Sequence, residues 1–231
     1  MTRLAVRQSV TIQADGVTLE GILEVPSGAA GVVLFSHGSG SGKSSPRNTA
    51  VAEVLNEAGL GTLLMDLLTE DEDRDYARRF DIDLLTQRLA QAVSWLQDSP
   101  ETKNLAIGLF GASTGAASAV RVAAMDGEEI SAVVSRGGRP DLAADALPRV
   151  KAPTLLIVGG DDYRVLDLNE QACERLKTTK KLVIIPGATH LFEEPGTLDI
   201  VTHEAAAWFK QYLQKHRGSY ADQERTSNID A

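Results

Sequence analysis

Hydrophobic and polar residues alternate along SVTIQADGVTLEGILEV, residues 9–25, and the alternation breaks at Asp15-Gly16. A period of two marks a strand with one buried face. Asp-Gly between two such runs is a strong hairpin signal. The stretch therefore predicts two antiparallel strands joined by a tight turn. Beyond it the texture changes. Short continuous apolar runs follow: GVVLFS, GTLLMDLL, LAIGLFG, SAVVS, PTLLIVGG and KLVIIPG. Between them lie segments whose apolar residues recur every three or four positions, which predicts helices over 47–58, 81–98, 113–125, 165–177 and 202–216. Strands that are apolar throughout need cover on both faces, and alternation with helices supplies it. The expected fold class is α/β, a mostly parallel central sheet with helices on both faces and an antiparallel N-terminal hairpin at its edge.

No internal repeat and no low-complexity linker interrupts this pattern. One domain is expected over 1–216, and 217–231, which lack hydrophobic periodicity, read as a flexible tail. The charged stretch TEDEDRDYARRF, residues 69–80, reads as a solvated surface connection or the start of a helix. Trp95 and Trp208 fall in helices and read as packing residues.

Composition narrows the function classes. A chain of 231 residues can bury one sizeable core. A net charge of −9 disfavours nucleic acid and anionic membrane surfaces as partners. The only cysteine, Cys173, excludes an internal disulfide and reads as a small half-buried residue of a helix. No apolar run reaches signal-peptide or transmembrane length, so the expected location is cytoplasmic. His37, His190, His203 and His216 show no metal-ligand spacing, and no metal site is expected.

The stretch SHGSGSGKSS, residues 36–45, follows a buried strand and poses a choice. Gly-Lys-Ser suggests a phosphate-binding loop, but that pattern needs a glycine five positions before Gly42, where His37 stands. Pro46 also pushes Ser45 out of the helical region, so the helix starts after the loop. The alternative is an oxyanion loop. It needs a nucleophile, and Gly111-Ala112-Ser113-Thr114-Gly115 supplies the only G-x-S-x-G of the chain, between a buried strand and a helix of small residues. A sharp strand-to-helix turn lifts the serine oxygen above the sheet, and the glycines keep side chains out of the tight approach.

Such a serine needs a base, and the base an orienting acid. Of the histidines downstream of Ser113, His190 alone lies in a loop after a parallel strand, where α/β sites are built. The preceding strand PTLLIVGG ends at Asp161 and Asp162. Asp162 is preferred, because Asp161 falls inside the turn, where Asp binds its own backbone. The oxyanion donors are then the amides of Thr114, next to the nucleophile, and Ser39 in the loop, with Gly40 the second choice. His37 reads as a residue that holds the loop. Gly40, Lys43, Arg136 and Arg139 are candidate substrate contacts. Lys43 is a loop charge or an entrance contact for an acidic substrate. Arg136 and Arg139 end a strand at the same edge of the sheet, where guanidinium groups bind carboxylate or phosphate or tether loops through Asp141 or Glu193. The short connection from 136 to 151 implies a minimal lid.

The phrases HGSGSG, FGASTGAASA, LLIVGGDD and GATHLFEEPG resemble the serine α/β-hydrolases grouped with dienelactone hydrolase, over residues 15–215. SPRN, LLMDLLTEDE and SRGGRPDLA are similar to a bacterial subgroup sometimes fused to phosphoribosyltransferase domains. The resemblance implies the α/β-hydrolase fold, ester or related acyl hydrolysis, and a small-molecule ester as partner. One departure stands out: dienelactone hydrolases proper use a cysteine nucleophile, and Ser113 stands here, so lactone cleavage is not carried over. The expected reaction is ester cleavage through an acyl-enzyme with no cofactor. The rivals are a thioesterase or other acyl hydrolase with the same triad, an inactive binding module on the same fold, and nucleotide binding through Gly42-Lys43-Ser44.

Overall fold

The computed structural model describes residues 3–125 and 130–213. The hairpin opens the chain: β1 (Leu4–Ala14) and β2 (Val17–Pro26) pair antiparallel with Ala14 opposite Val17. Asp15 and Gly16 both take positive φ, 53° and 78°. Two consecutive left-handed residues give the turn whose twist matches that of paired strands.

Six further strands follow: β3 (Gly31–Ser36), β4 (Gly61–Met65), β5 (Ala106–Ala112), β6 (Ile130–Arg136), β7 (Thr154–Gly159) and β8 (Lys180–Ile185). All eight form one sheet in the order β1-β2-β4-β3-β5-β6-β7-β8. The pair β2/β4 is antiparallel, and every pair from β4 to β8 is parallel. With its helices, this is the α/β-hydrolase fold.

Each interior strand feeds two cores, because successive side chains point to opposite faces. Val33, Phe35, Phe110, Ala112 and Val134 meet α1 (Pro46–Glu57) and α6 (Thr197–Leu213) on one face. Val32, Leu34, Leu109 and Val133 lie on the other, which is covered by α3 (Ile82–Asp98), α4 (Gly115–Met125) and α5 (Tyr163–Arg175). Phe35 and Phe110 stack across β3 and β5 with ring centroids 4.9 Å apart. Two-sided burial is the physical reason these strands read as unbroken apolar runs. Trp208 is buried and donates to the Pro153 carbonyl at 3.3 Å, and Cys173 is half-buried against the core.

Helix boundaries shift by one or two residues at α1, α3 and α5, and two starts differ for a clear local reason. α4 begins at Gly115 rather than 113, because Ser113 has φ 51° and cannot join a right-handed helix. α6 begins at Thr197 rather than 202. Thr197 bonds back to the Glu194 carbonyl through both its amide and its hydroxyl, while Ile200 stays 45% exposed and breaks the apolar period of the first turn. The expected end of that helix and the expected tail, 217–231, lie outside the described residues.

The charged segment 69–80 is more than a solvated connection. Within it, α2 (Glu70–Asp73) is closed by a capping box in which Thr69 and Glu72 exchange side-chain and backbone bonds. Glu72 also receives both terminal nitrogens of Arg88, at 2.6 and 2.7 Å. Arg88 sits on the buried face of α3 and is only 2% exposed. Its guanidinium holds the Glu72 carboxyl down at about 2, well below the usual carboxylate range, against an opposing push from burial. Glu72→Gln should therefore destabilise the fold by about 3 kcal/mol at neutral pH, because it strands a buried cation. The folded-state value lies below the unfolded one. The ion pair therefore contributes fully above about pH 4.5, and its contribution is lost as pH falls toward about 2. Urea melts of both proteins at pH 7 and pH 3 check this. The gap between them should narrow at the lower pH.

Candidate active site

Parallel register brings the C-terminal strand ends to one edge of the sheet. Ser36 of β3 lies beside Gly111 of β5, and Ala112 beside Arg136 of β6. The loops carrying 37–45, 113–114, 137–139, 160–162 and 186–196 therefore gather at that edge.

Ser113 sits at the turn between β5 and α4 in the left-handed region, φ 51°. Its backbone is held on both sides: its amide donates to the Arg136 carbonyl at 3.2 Å, and its carbonyl accepts from Ala116 at 3.1 Å and Arg139 at 3.0 Å. Three hydrogen-bonding groups thus fix a residue that would otherwise avoid this conformation. Two glycines make room for it. A Cβ on Gly115 would collide with the carbonyl oxygens of Ser36 and His37, and one on Gly38 would come within 2.9 Å of the Ser113 Cβ. Both glycines are places where backbone passes against backbone.

His190 brings Nε2 to 3.3 Å from the Ser113 Oγ and Nδ1 to 2.7 Å from Asp162 Oδ2. The carboxylate can only accept, so Nδ1 carries the proton and donates to Asp162. Nε2 is left with a free lone pair facing the serine hydroxyl. Asp162 is positioned by the turn that ends β7: its amide donates to the Gly159 carbonyl at 3.1 Å, and α5 starts at the next residue. The Asp161 amide is bound to the Ala188 carbonyl at 3.0 Å, and its side chain is exposed. Of the two aspartates, Asp162 is the one brought to the histidine.

The loop after β3 faces the serine. His37 accepts from the Leu67 amide at Nε2, 2.9 Å, so Nδ1 donates to the Gly38 carbonyl at 3.0 Å. Burial pushes its pKa below the usual histidine value. Thus His37 is a neutral brace of the loop. The Ser39 amide donates to the Thr114 hydroxyl at 3.1 Å. That contact ties the loop directly to the residue after Ser113. Gly40 takes φ 69° at the loop tip, near Arg79.

Lys43 is engaged elsewhere. Its Nζ contacts Asp66 at 2.5 Å and Glu20 at 3.0 Å, within a hollow of about 410 Å³ beside the loop that also exposes Glu70 and Asp73. Two carboxylates occupy the ammonium, and the helix begins only at Pro46. Neither a phosphate cradle nor an entrance cation is formed there. Arg139 likewise forks onto Asp141 with two bonds of 2.8 Å. Arg136 is different: it is 7% exposed, its guanidinium carbon lies 5.9 Å from the Phe192 ring centroid, and Nη2 is 3.4 Å from Asn48 Oδ1. Burial, and then the neighbouring charge of Arg47, push its pKa down to about 10. Among the described residues, no cluster of three or more His, Cys, Asp or Glu side chains is arranged to hold a metal ion. No helix among them is long and apolar enough to cross a membrane.

Four supporting residues escaped the sequence. Phe192 follows His190 by two positions, is buried, and has φ 56°. Asn169 of α5, fully buried, donates to the Gly138 carbonyl at 2.9 Å and ties the β6 loop to the helix that follows Asp162. Ser36 and Ser118 share a buried hydroxyl contact of 2.8 Å that locks β3 to α4. Only Ser118 left a sequence signal, as a polar residue within an otherwise apolar helix face.

Comparison with known proteins gives the family and the fold. Residues 19–214 match the dienelactone hydrolase family. A dienelactone hydrolase structure from Anabaena variabilis shares 56% identity and superposes with a TM-score of 0.87, covering 90% of this chain and 98% of that one. Est1E from Butyrivibrio proteoclasticus shares the fold at 20% identity, with a TM-score of 0.76 over 88% of this chain and 98% of its own. Two Mycobacterium tuberculosis proteins called putative phosphoribosyl transferases are 52% identical over 206 residues, 89% of this chain and 46% of theirs. The chain thus spans less than half the length of those curated relatives.

Proposed function

The chain belongs to the dienelactone hydrolase family, and from that premise we propose that it is a serine hydrolase that cleaves small carboxylic esters through an acyl-enzyme. The observation that carries this reading is the continuous line from Ser113 Oγ through His190 to Asp162, with contacts of 3.3 and 2.7 Å. The longer distance at the serine suits a free enzyme, where such bonds tighten only once substrate is bound.

In this reading Ser113 Oγ attacks the ester carbonyl carbon as its proton passes to His190 Nε2. Asp162 holds the Nδ1 proton and stabilises the imidazolium. The tetrahedral oxyanion takes hydrogen bonds from the Thr114 amide and from the Ser39 amide, which turns from the Thr114 hydroxyl toward the stronger acceptor. Collapse breaks the ester bond, and His190 returns the proton to the departing alcohol. Water then attacks the acyl-enzyme by the same route, with His190 again taking and returning a proton. The side chain at the nucleophile position is a hydroxyl, so lactone cleavage by a thiolate is no part of the proposal. Phosphoribosyl transfer, the activity in the names of the mycobacterial relatives, is not proposed for this chain.

The test is a panel of short-chain 4-nitrophenyl esters, the matching alkyl thioesters and the matching anilides, assayed on folded protein. Turnover of the esters with the anilides inert supports the reading. Turnover confined to thioesters would make the chain a thioesterase. No turnover of any class, with no labelling of Ser113, would favour a binding module on this fold.

A further inference from the structure

The start of α1 and the end of β6 meet in a cluster that the triad does not use. α1 has no side-chain cap at Ser45 and no acidic residue in its first turn. The positive end of its dipole, with its free amides, is therefore left without an anion from its own sequence. Arg136 reaches this point from the last position of β6. It is buried, its Nη2 touches the Asn48 side chain of that first turn, and its Nε has neither solvent nor a partner. No carboxylate among the described residues pairs with it. Arg47, from the same turn, is close enough for its charge to bear on Arg136. Its Nη1 meets Glu193 at 3.2 Å, but its Nε is buried and unpartnered as well.

Two guanidinium groups and a helix N-terminus thus converge, and among the described residues Glu193, on the Arg47 side, is the one carboxylate paired with either of them. A buried unpaired cation is expensive, and an anion bound beside it would offset that cost. The place is next to the reaction centre: the Arg136 carbonyl holds the Ser113 amide, and Phe192, stacked on the guanidinium, lies two residues from His190. Arg47 is about a third exposed, whereas Arg136 is buried.

We propose that Arg136, Arg47 and the N-terminus of α1 form an anion-binding subsite that takes a carboxylate or phosphate group carried by the substrate. That the anion belongs to an ester rests on the serine-hydrolase reading; the anion site itself does not.

Two measurements test it on the full chain. In thermal melts at constant ionic strength, inorganic phosphate or glutarate should raise the wild-type Tm more than chloride does. Arg136→Met and Arg47→Gln should each lose the shift. The larger of the two shifts tells phosphate from carboxylate. In the second measurement, kcat/KM is compared for 4-nitrophenyl butyrate and the mono-4-nitrophenyl ester of glutarate. Wild type should favour the charged ester, and the charged-to-neutral ratio should fall by about ten- to a hundredfold in each variant. This ratio does not depend on the fraction of active protein, and Arg47→Gln carries the test if Arg136→Met does not fold. A wild-type ratio near one, a ratio unchanged in both variants, or anion shifts equal in wild type and variants would overturn the proposal. If neither ester is cleaved while the anion shift still requires Arg136, the hydrolase reading fails and the anion site stands.

Discussion

Replacing Ser113 with alanine is expected to lower kcat for a cleaved ester by about 10⁴- to 10⁶-fold, while the protein stays folded. Loss of the nucleophile removes covalent catalysis and leaves only binding and oxyanion stabilisation. The substitution keeps the Cβ, so the packing of Gly38 against this residue is unchanged. The backbone bonds to Arg136, Ala116 and Arg139 are also kept, because they use the Ser113 main chain alone. The expected Tm is therefore within a degree or two of wild type, equivalent to a change of about 0.5 kcal/mol or less. Steady-state kinetics with a parallel melt check both halves. A variant that retained a tenth of wild-type activity would show that the chemistry runs elsewhere.

The second large effect separates two adjacent aspartates. Asp162→Asn is expected to lower kcat by about 10⁴-fold, because an amide can donate to Nδ1 and so favours the tautomer with its proton on Nε2. That tautomer cannot accept the serine proton. Asp161→Asn, one residue earlier, changes an exposed side chain whose backbone amide is spent on Ala188. Its expected effect is less than about threefold, the ordinary size for a surface substitution. Equal losses in the two variants would point to general electrostatics rather than to the contact between Asp162 and His190.

How much of this was legible along the chain depends on the range of the interaction. The hairpin at Asp15-Gly16 was visible because its turn is set by two residues. The parallel strands were visible because cover on both faces writes unbroken apolar runs. The turn at Ser113 was visible because the backbone crowding around it excludes side chains at Gly111 and Gly115, and that leaves a spaced glycine signature. Partners brought together from distant elements were not visible. Lys43 read as a free charge until β2 and β4 placed Glu20 and Asp66 against it. The 69–80 segment read as solvated, although Arg88 among LLTQRLAQAV stands on the same helix face as Leu84 and Ala92 and hinted at a buried ion pair. Arg136 was singled out for its place at a strand end. Its missing counter-charge shows only when α1 and the loop of Phe192 are folded around it. The left-handed conformation of Phe192 left no trace, since bulky residues rarely take it.

The central claim is that Ser113 is an activated nucleophile. It is tested most directly by intact mass after incubation with a fluorophosphonate probe, for wild type and Ser113→Ala side by side. The expected result is one adduct on the wild type and none on the variant. No adduct on folded wild-type protein, or an adduct that persists in the variant, would contradict it.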